Sequence, residues 1–204
     1  MSGGGKTWIG ADPGGLHNFG LAILQSDGST YTACVNCADE AVAEVSRKVR
    51  MQPGGVGVDA PLWWSSGVSS GRQADQWLRE KYGLSGGQVQ APNSLRGAAL
   101  VQGMMFVLRV RELFPGVGVT ETHPKAVLAA LSVESDSAFF RRFSVKQVRT
   151  DHSEHERDAI VSAVAAREGF EGRWPRDLST TRGAREQDPS TFWLAPVHYY
   201  WPAE

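Results

Sequence analysis

Residues 9–24 read IGADPGGLHNFGLAIL, and this stretch decides the fold. Two short apolar runs, 7–12 and 19–24, flank PGGLHN, a segment of turn residues. The pattern predicts an antiparallel hairpin with Asp12 at the end of its first strand. A second turn, SDGS at 26–29, leads to a third run at 31–37, so three sequential antiparallel strands are expected.

Working outward, 39–50 places Ala41, Val42, Val45 and Val49 at helical spacing, with Asp39 as N-cap and Pro53, Gly54 and Gly55 beyond its end. The next apolar run, 56–62, is reached through that helical crossover, so it should lie parallel to an earlier strand. Helices are expected over 71–82 and 95–114, joined by GLSGGQVQAPN, which reads as a long flexible connector. A fifth strand follows at 116–121, then helices at 124–131, 138–148 and 153–169. Residues 1–6 read as a disordered tail, and 7–204 as one domain with an irregular extension from about 173, where Pro, Arg, Trp and Tyr follow no clear period. The order predicts an α/β protein with a five-stranded mixed sheet, three strands antiparallel and two parallel, and helices on both faces. The ribonuclease-H-like fold has this order, with its fourth strand beside the first and its fifth beside the fourth.

In that arrangement Asp12, Asp59 and Glu121, in IGADPG, VGVDAP and VTETHP, end three neighbouring strands about 4.8 Å apart. Each could be only a turn or cap residue. Together they form a cluster that repels itself, and such a cluster takes up protons or recruits a hard cation such as Mg²⁺ or Mn²⁺. Asp158 lies in line with Val161 and Ala165 on the last helix, one turn from Glu154 and His155, so it faces the protein and is expected to join the site. Glu154 and His155 are possible further ligands. Arg141, Arg142, Lys146 and Arg149 stand against the single Asp136 between 135 and 150 and are expected to hold a phosphate backbone. Arg72, Asp75 and Arg79 fall at helical spacing, as a substrate clamp or a salt-bridged face. Trp63 and Trp64 follow Asp59; one of them, taken as Trp63, could stack on a base while the other enters the core.

Composition narrows the class. A chain of 204 residues, 41% hydrophobic and 21% charged, is long enough for one well-buried domain. Two cysteines make no disulfide framework, no secretory pattern opens the chain, and no apolar run reaches a membrane span, so a cytoplasmic protein without membrane partners is expected. With 21 Lys and Arg against 22 Asp and Glu, it is not an indiscriminate polycation. Cys34 and Cys37 lack a second pair for zinc. A homodimer stays open.

The segment 9–24 resembles the opening hairpin of Holliday-junction resolvases and their ribonuclease-H-like relatives, and HSEHERDAIVSAVAA at 152–166 resembles their closing helix. The full set resembles still more closely the domain-of-unknown-function family 429, regarded as predicted ribonuclease-H-like nucleases. Its pattern is matched by VGVDAPL at 56–62, by Arg72, Asp75 and Arg79, by ETHP at 121–124 and by ERDAIVSA at 156–163. The resemblance implies a metal-dependent nuclease that hydrolyses DNA or RNA with two Mg²⁺ or Mn²⁺ ions, with Asp12, Asp59, Glu121 and Asp158 as its acidic site. The alternatives are an inactive binding or scaffold protein on the same fold and an actin-like phosphotransferase, which needs two such domains.

Overall fold

The computed structural model describes residues 5–65, 71–92, 97–146, 148–184 and 186–203. Strands β1 (Thr7–Asp12), β2 (Phe19–Gln25) and β3 (Thr30–Val35) form the expected antiparallel meander. Helix α1 (Ala38–Lys48) crosses to β4 (Gly55–Val58), which pairs parallel with β1. After α2 (Gln73–Tyr82) and α3 (Ala98–Leu113), β5 (Val119–Glu121) pairs parallel with β4. Then come α4 (Pro124–Ala130), α5 (Asp136–Arg142) and α6 (Glu154–Phe170). The chain is therefore α/β with a mixed sheet.

That sheet has six strands, not five. The sixth is β7 (Val197–His198), parallel to β5, and it comes from the supposedly irregular extension. There β6 (Arg176–Asp177) and β8 (Tyr200–Trp201) add a separate two-stranded ladder. The signal was present in VHYYW: Val197, Tyr199 and Trp201 alternate into the core while His198 and Tyr200 are half-buried, a period of two. At the other terminus, residues 1–4 of the expected tail lie outside the described residues, and Lys6 is already tied to the fold, its carbonyl accepting from the Ser26 N–H.

Helix α6 is the hub. Ser153 caps it with a reciprocal capping box: the Ser153 hydroxyl accepts from the Glu156 N–H, and the Glu156 carboxylate accepts from the Ser153 N–H. From Asp158 to Gly169 every residue is buried, so the helix is interior on all sides. It lies directly on the sheet backbone because glycines form the floor. A Cβ at Gly10 would stand 1.9 Å from the Ala159 carbonyl oxygen, one at Gly20 2.0 Å from that of His155, and one at Gly57 2.0 Å from that of Ser162. The opposite face of β4 meets α3, where Gly103 sits against Ala60 and Val58. Helices thus cover both faces.

The close approach makes a prediction. Gly57→Ala forces a methyl into helix backbone that cannot swing aside, and should cost about 2–3 kcal/mol, lowering Tm by about 4–12 °C. Gly86→Ala, with nothing within 4 Å of the added atom, should stay within about 0.5 kcal/mol in the same thermal scan.

Candidate active site

Register decides which side chains meet at the carboxyl ends of the parallel strands. Ala11 is level with Val58, and Val58 with Glu121. One step further come Asp12, Asp59 and Thr122, held by the Asp59 N–H donating to the Ala11 carbonyl and the Thr122 N–H to that of Val58, both at 2.8 Å. Side chains alternate, so Asp12 shares a face with Gly10, and Asp59 with Gly57; that face is covered by α6. Thr122 shares it too, its hydroxyl 2.7 Å from Ser162 on α6.

Asp12, Asp59 and Asp158 consequently line one cleft of about 250 Å³ with Glu154, His155, His123, Lys125 and Gln88. His155 Nδ1 lies 2.6 Å from an Asp12 oxygen, and His123 Nδ1 3.2 Å from one of Asp59. Arg157 pairs with Asp158 at 2.7 Å, and Lys125 with Glu154 at 3.1 Å. Burial, reinforced by Asp59 and then Asp158, pushes the Asp12 carboxyl up to about 9. Burial and the Asp59 charge raise Asp158 to about 6 against the pull of Arg157. At His123 burial works downward, but the hydrogen bond and charge of Asp59 outweigh it and the net shift is upward. His123 Nε2 is buried and has no hydrogen-bond partner among the described residues. The hydrogen bond from Lys125 holds Glu154 below its ordinary value.

Glu121 does not join them. It stops one register position short, on the opposite face, where its carboxylate accepts from the Leu62 N–H at 2.9 Å and from Arg72 Nη1 at 2.7 Å. Arg72, also bound to Asp75 at 2.7 and 2.9 Å, has no exposed surface. Burial works against its charge, but Asp75 and Glu121 outweigh that and keep it ionised. Arg72 is therefore the centre of a buried triad and not a substrate clamp. Trp63 lies beneath it, the guanidinium carbon 4.0 Å from the ring centroid, and is 1% exposed; Trp64 is the exposed member of the pair. Arg79 donates to the Val89 carbonyl at 2.9 Å and so braces the connector.

The basic run is dispersed. Helix α5 ends at Arg142, and Ser144 leaves it with a φ of 53°, so 138–148 is not one helix. The Lys146 N–H donates to the Gly28 carbonyl, at the turn beside Thr7 and about 17 Å of β1 away from Asp12. Arg142 donates to the Leu131 carbonyl and lines a separate hollow with Trp8 and Arg173. Arg149 pairs with Asp151, and Arg141 is exposed on α5. None of the four lines the cleft; among the described residues the cation in its lining is Lys125, which sequence reasoning missed although ETHPK places it next to the Glu121 motif. Cys34 is exposed, its thiol donating to the His17 carbonyl.

No family model, no curated protein and no solved structure matches the chain.

Two outcomes follow from these charges. Arg72→Met strands Asp75 and Glu121 without a partner in the interior and should cost about 3–5 kcal/mol by denaturant unfolding. Asp12 behaves oppositely. Its folded value, about 9, lies above the ordinary 3.8, so the native state holds a proton that the unfolded chain releases. The stability tied to that proton is full below about 4, falls as pH rises and is lost above about 9. Asp12→Asn, in chelator, should raise Tm by an increment that grows from pH 5 to pH 9; an increment independent of pH would contradict this.

Proposed function

We propose that this chain is a ribonuclease-H-like, divalent-metal-dependent nuclease that hydrolyses phosphodiester bonds of DNA or RNA, akin to family 429. The observation that carries the reading is the convergence of Asp12, Asp59 and Asp158, from two strand ends and the hub helix, in one cleft where burial and mutual repulsion hold Asp12 up to about 9. The strand order β3-β2-β1-β4-β5 supports it, being the order expected of that fold.

The donor set fits a hard cation. Three carboxylates would supply oxygen ligands for Mg²⁺ or Mn²⁺, and His123 brings a buried Nε2 that has no partner among the described residues. As the side chains stand, Asp12 pairs with His155, Asp59 with His123 and Asp158 with Arg157, and among the described residues no three His, Cys, Asp or Glu groups adopt metal-holding geometry, so to hold an ion Asp12 would have to turn from His155 and release its proton. Bound divalent ions supply an activated water and stabilise the departing oxygen.

The chain's own groups do the rest. Asp12 and Asp59 are carried on paired strand ends, and Asp158 on α6, so packed elements set the backbone positions of the site. Lys125, paired with Glu154 at the cleft wall, offers positive charge to a phosphate otherwise repelled by the carboxylates. His155, a third exposed, links the Asp12 carboxyl to solvent through its Nδ1 contact. Glu121 takes no part, being neutralised by Arg72.

The test uses purified protein, labelled single- and double-stranded DNA and RNA, and Mn²⁺ with or without chelator. Cleavage should require the ion and fall about 100-fold or more in Asp12→Asn and Asp59→Asn. Mn²⁺ should also raise the Tm of the wild type, more at pH 9 than at pH 6 because protons compete for Asp12, and much less in either variant. Cleavage unaffected by Asp12→Asn, or no cutting of any substrate at any metal concentration, would overturn the proposal.

A further inference from the structure

The carboxylate cleft opens into a second compartment of about 180 Å³ that shares Asp12, Asp59, Gln88 and His123 with it. Its remaining walls differ in chemistry: Ala60, Pro61 and Ala99 are apolar, and Gly87, Gln88 and Gln90 come from the connector after α2. The Gly and Ser content of that connector reads as flexible, but its described part, residues 83–92, is anchored to the fold. Val89 is fully buried and Ala91 nearly so, and Arg79 holds the Val89 carbonyl. Residues 88 and 90 alternate with these two plugs and line the compartment instead. The Gln88 side-chain oxygen Oε1 accepts from the Ser85 N–H and hydroxyl at 2.9 and 3.0 Å, which among the described residues leaves its NH₂ end for a ligand. Among the described residues the Gln90 amide has no hydrogen-bond partner, though the residue is half-buried.

A compartment with an apolar wall and two side-chain amides, next to a phosphate-directed acidic site, has the chemistry of a nucleobase pocket. Amides match the donor and acceptor edges of bases, and Gln can pair with them in two-point fashion. We propose that the substrate is an unpaired nucleotide of a single strand, its base seated against Ala60, Pro61 and Ala99 and addressed by the amides of Gln88 and Gln90. A base held there is off its complementary strand, so duplex must first be opened and is the poorer substrate. The inference rests on the nuclease reading for the role of the adjoining carboxylates.

The experiment measures binding and cutting on the same samples. Fluorescein-labelled oligo-dA, oligo-dC and oligo-dT, and the dA·dT duplex of equal length, are titrated by anisotropy in Mg²⁺ on ice, then warmed and resolved on a gel. Wild type should bind one homo-oligomer about tenfold tighter than the weakest, and the duplex more weakly than its better strand. Gln90→Ala should level the three affinities while keeping the Mn²⁺ thermal shift, and Gln88→Ala should act in the same direction. Equal affinities in wild type, a preference that survives Gln90→Ala, or duplex bound as tightly as its strands would overturn the inference. Cutting without base preference would sink this inference alone. Base-selective binding with no cutting would sink the nuclease reading and leave the single-strand site standing. No binding of any strand would sink both.

Discussion

The contact on which the rest depends is the seating of α6 on bare sheet backbone. Gly10, Gly20 and Gly57 leave no side chain between β1, β2, β4 and the carbonyls of His155, Ala159 and Ser162. Any Cβ there would have to pass through helix backbone, so the glycines set the height of the helix over the sheet as well as its position along it. Two residues further along the same face come Asp12 and Asp59. One turn before Ser162 on the helix comes Asp158. The floor that admits the helix therefore also fixes the spacing of the carboxylates.

The sheet edge handles buried negative charge in two ways, one on each face. On the face away from α6, Arg72 neutralises Asp75 and Glu121 with four hydrogen bonds and needs nothing from outside. On the α6 face the partners of Asp12 and Asp59 among the described residues are histidines, while Arg157 pairs with Asp158 and Glu154. The first arrangement is a self-contained staple, costly to break and indifferent to the medium. The second leaves charge to be balanced by protons or by a cation, and burial beside like charge is why Asp12 and Asp158 sit high. A single residue of strand register separates the two, because it turns a side chain from one face to the other.

Much of the site was legible because its determinants are local. Asp12 and Asp59 are recognisable as strand ends by Pro13 directly after the one and Pro61 two residues after the other, and Asp158, with Glu154 and His155, by helical spacing beside Val161 and Ala165. The misreadings share a cause. Glu121 and Thr122 both end a short apolar run, and only pairing with Val58 tells which of them faces α6. Trp63 and Trp64 are equivalent neighbours until Arg72 covers one of them. Arg141, Arg142, Lys146 and Arg149 look like one surface, yet the positive φ at Ser144 and the bond from Lys146 to Gly28 scatter them. The 83–93 connector has a composition typical of a loose loop, and two buried side chains with one arginine make it a wall.

By itself the sequence determined the class of the fold, the order and direction of its first five strands, and three acidic residues positioned to meet, since alternation, turn chemistry and helical period are written over a few neighbouring residues. The sixth strand, the isolation of Glu121 in a triad, the cation at the cleft wall and the second compartment were decided only by tertiary structure. Each depends on a pairing between segments tens of residues apart, such as β5 with β7 or Arg72 with Glu121. Nothing in the local pattern of either segment specifies the face on which the other will arrive.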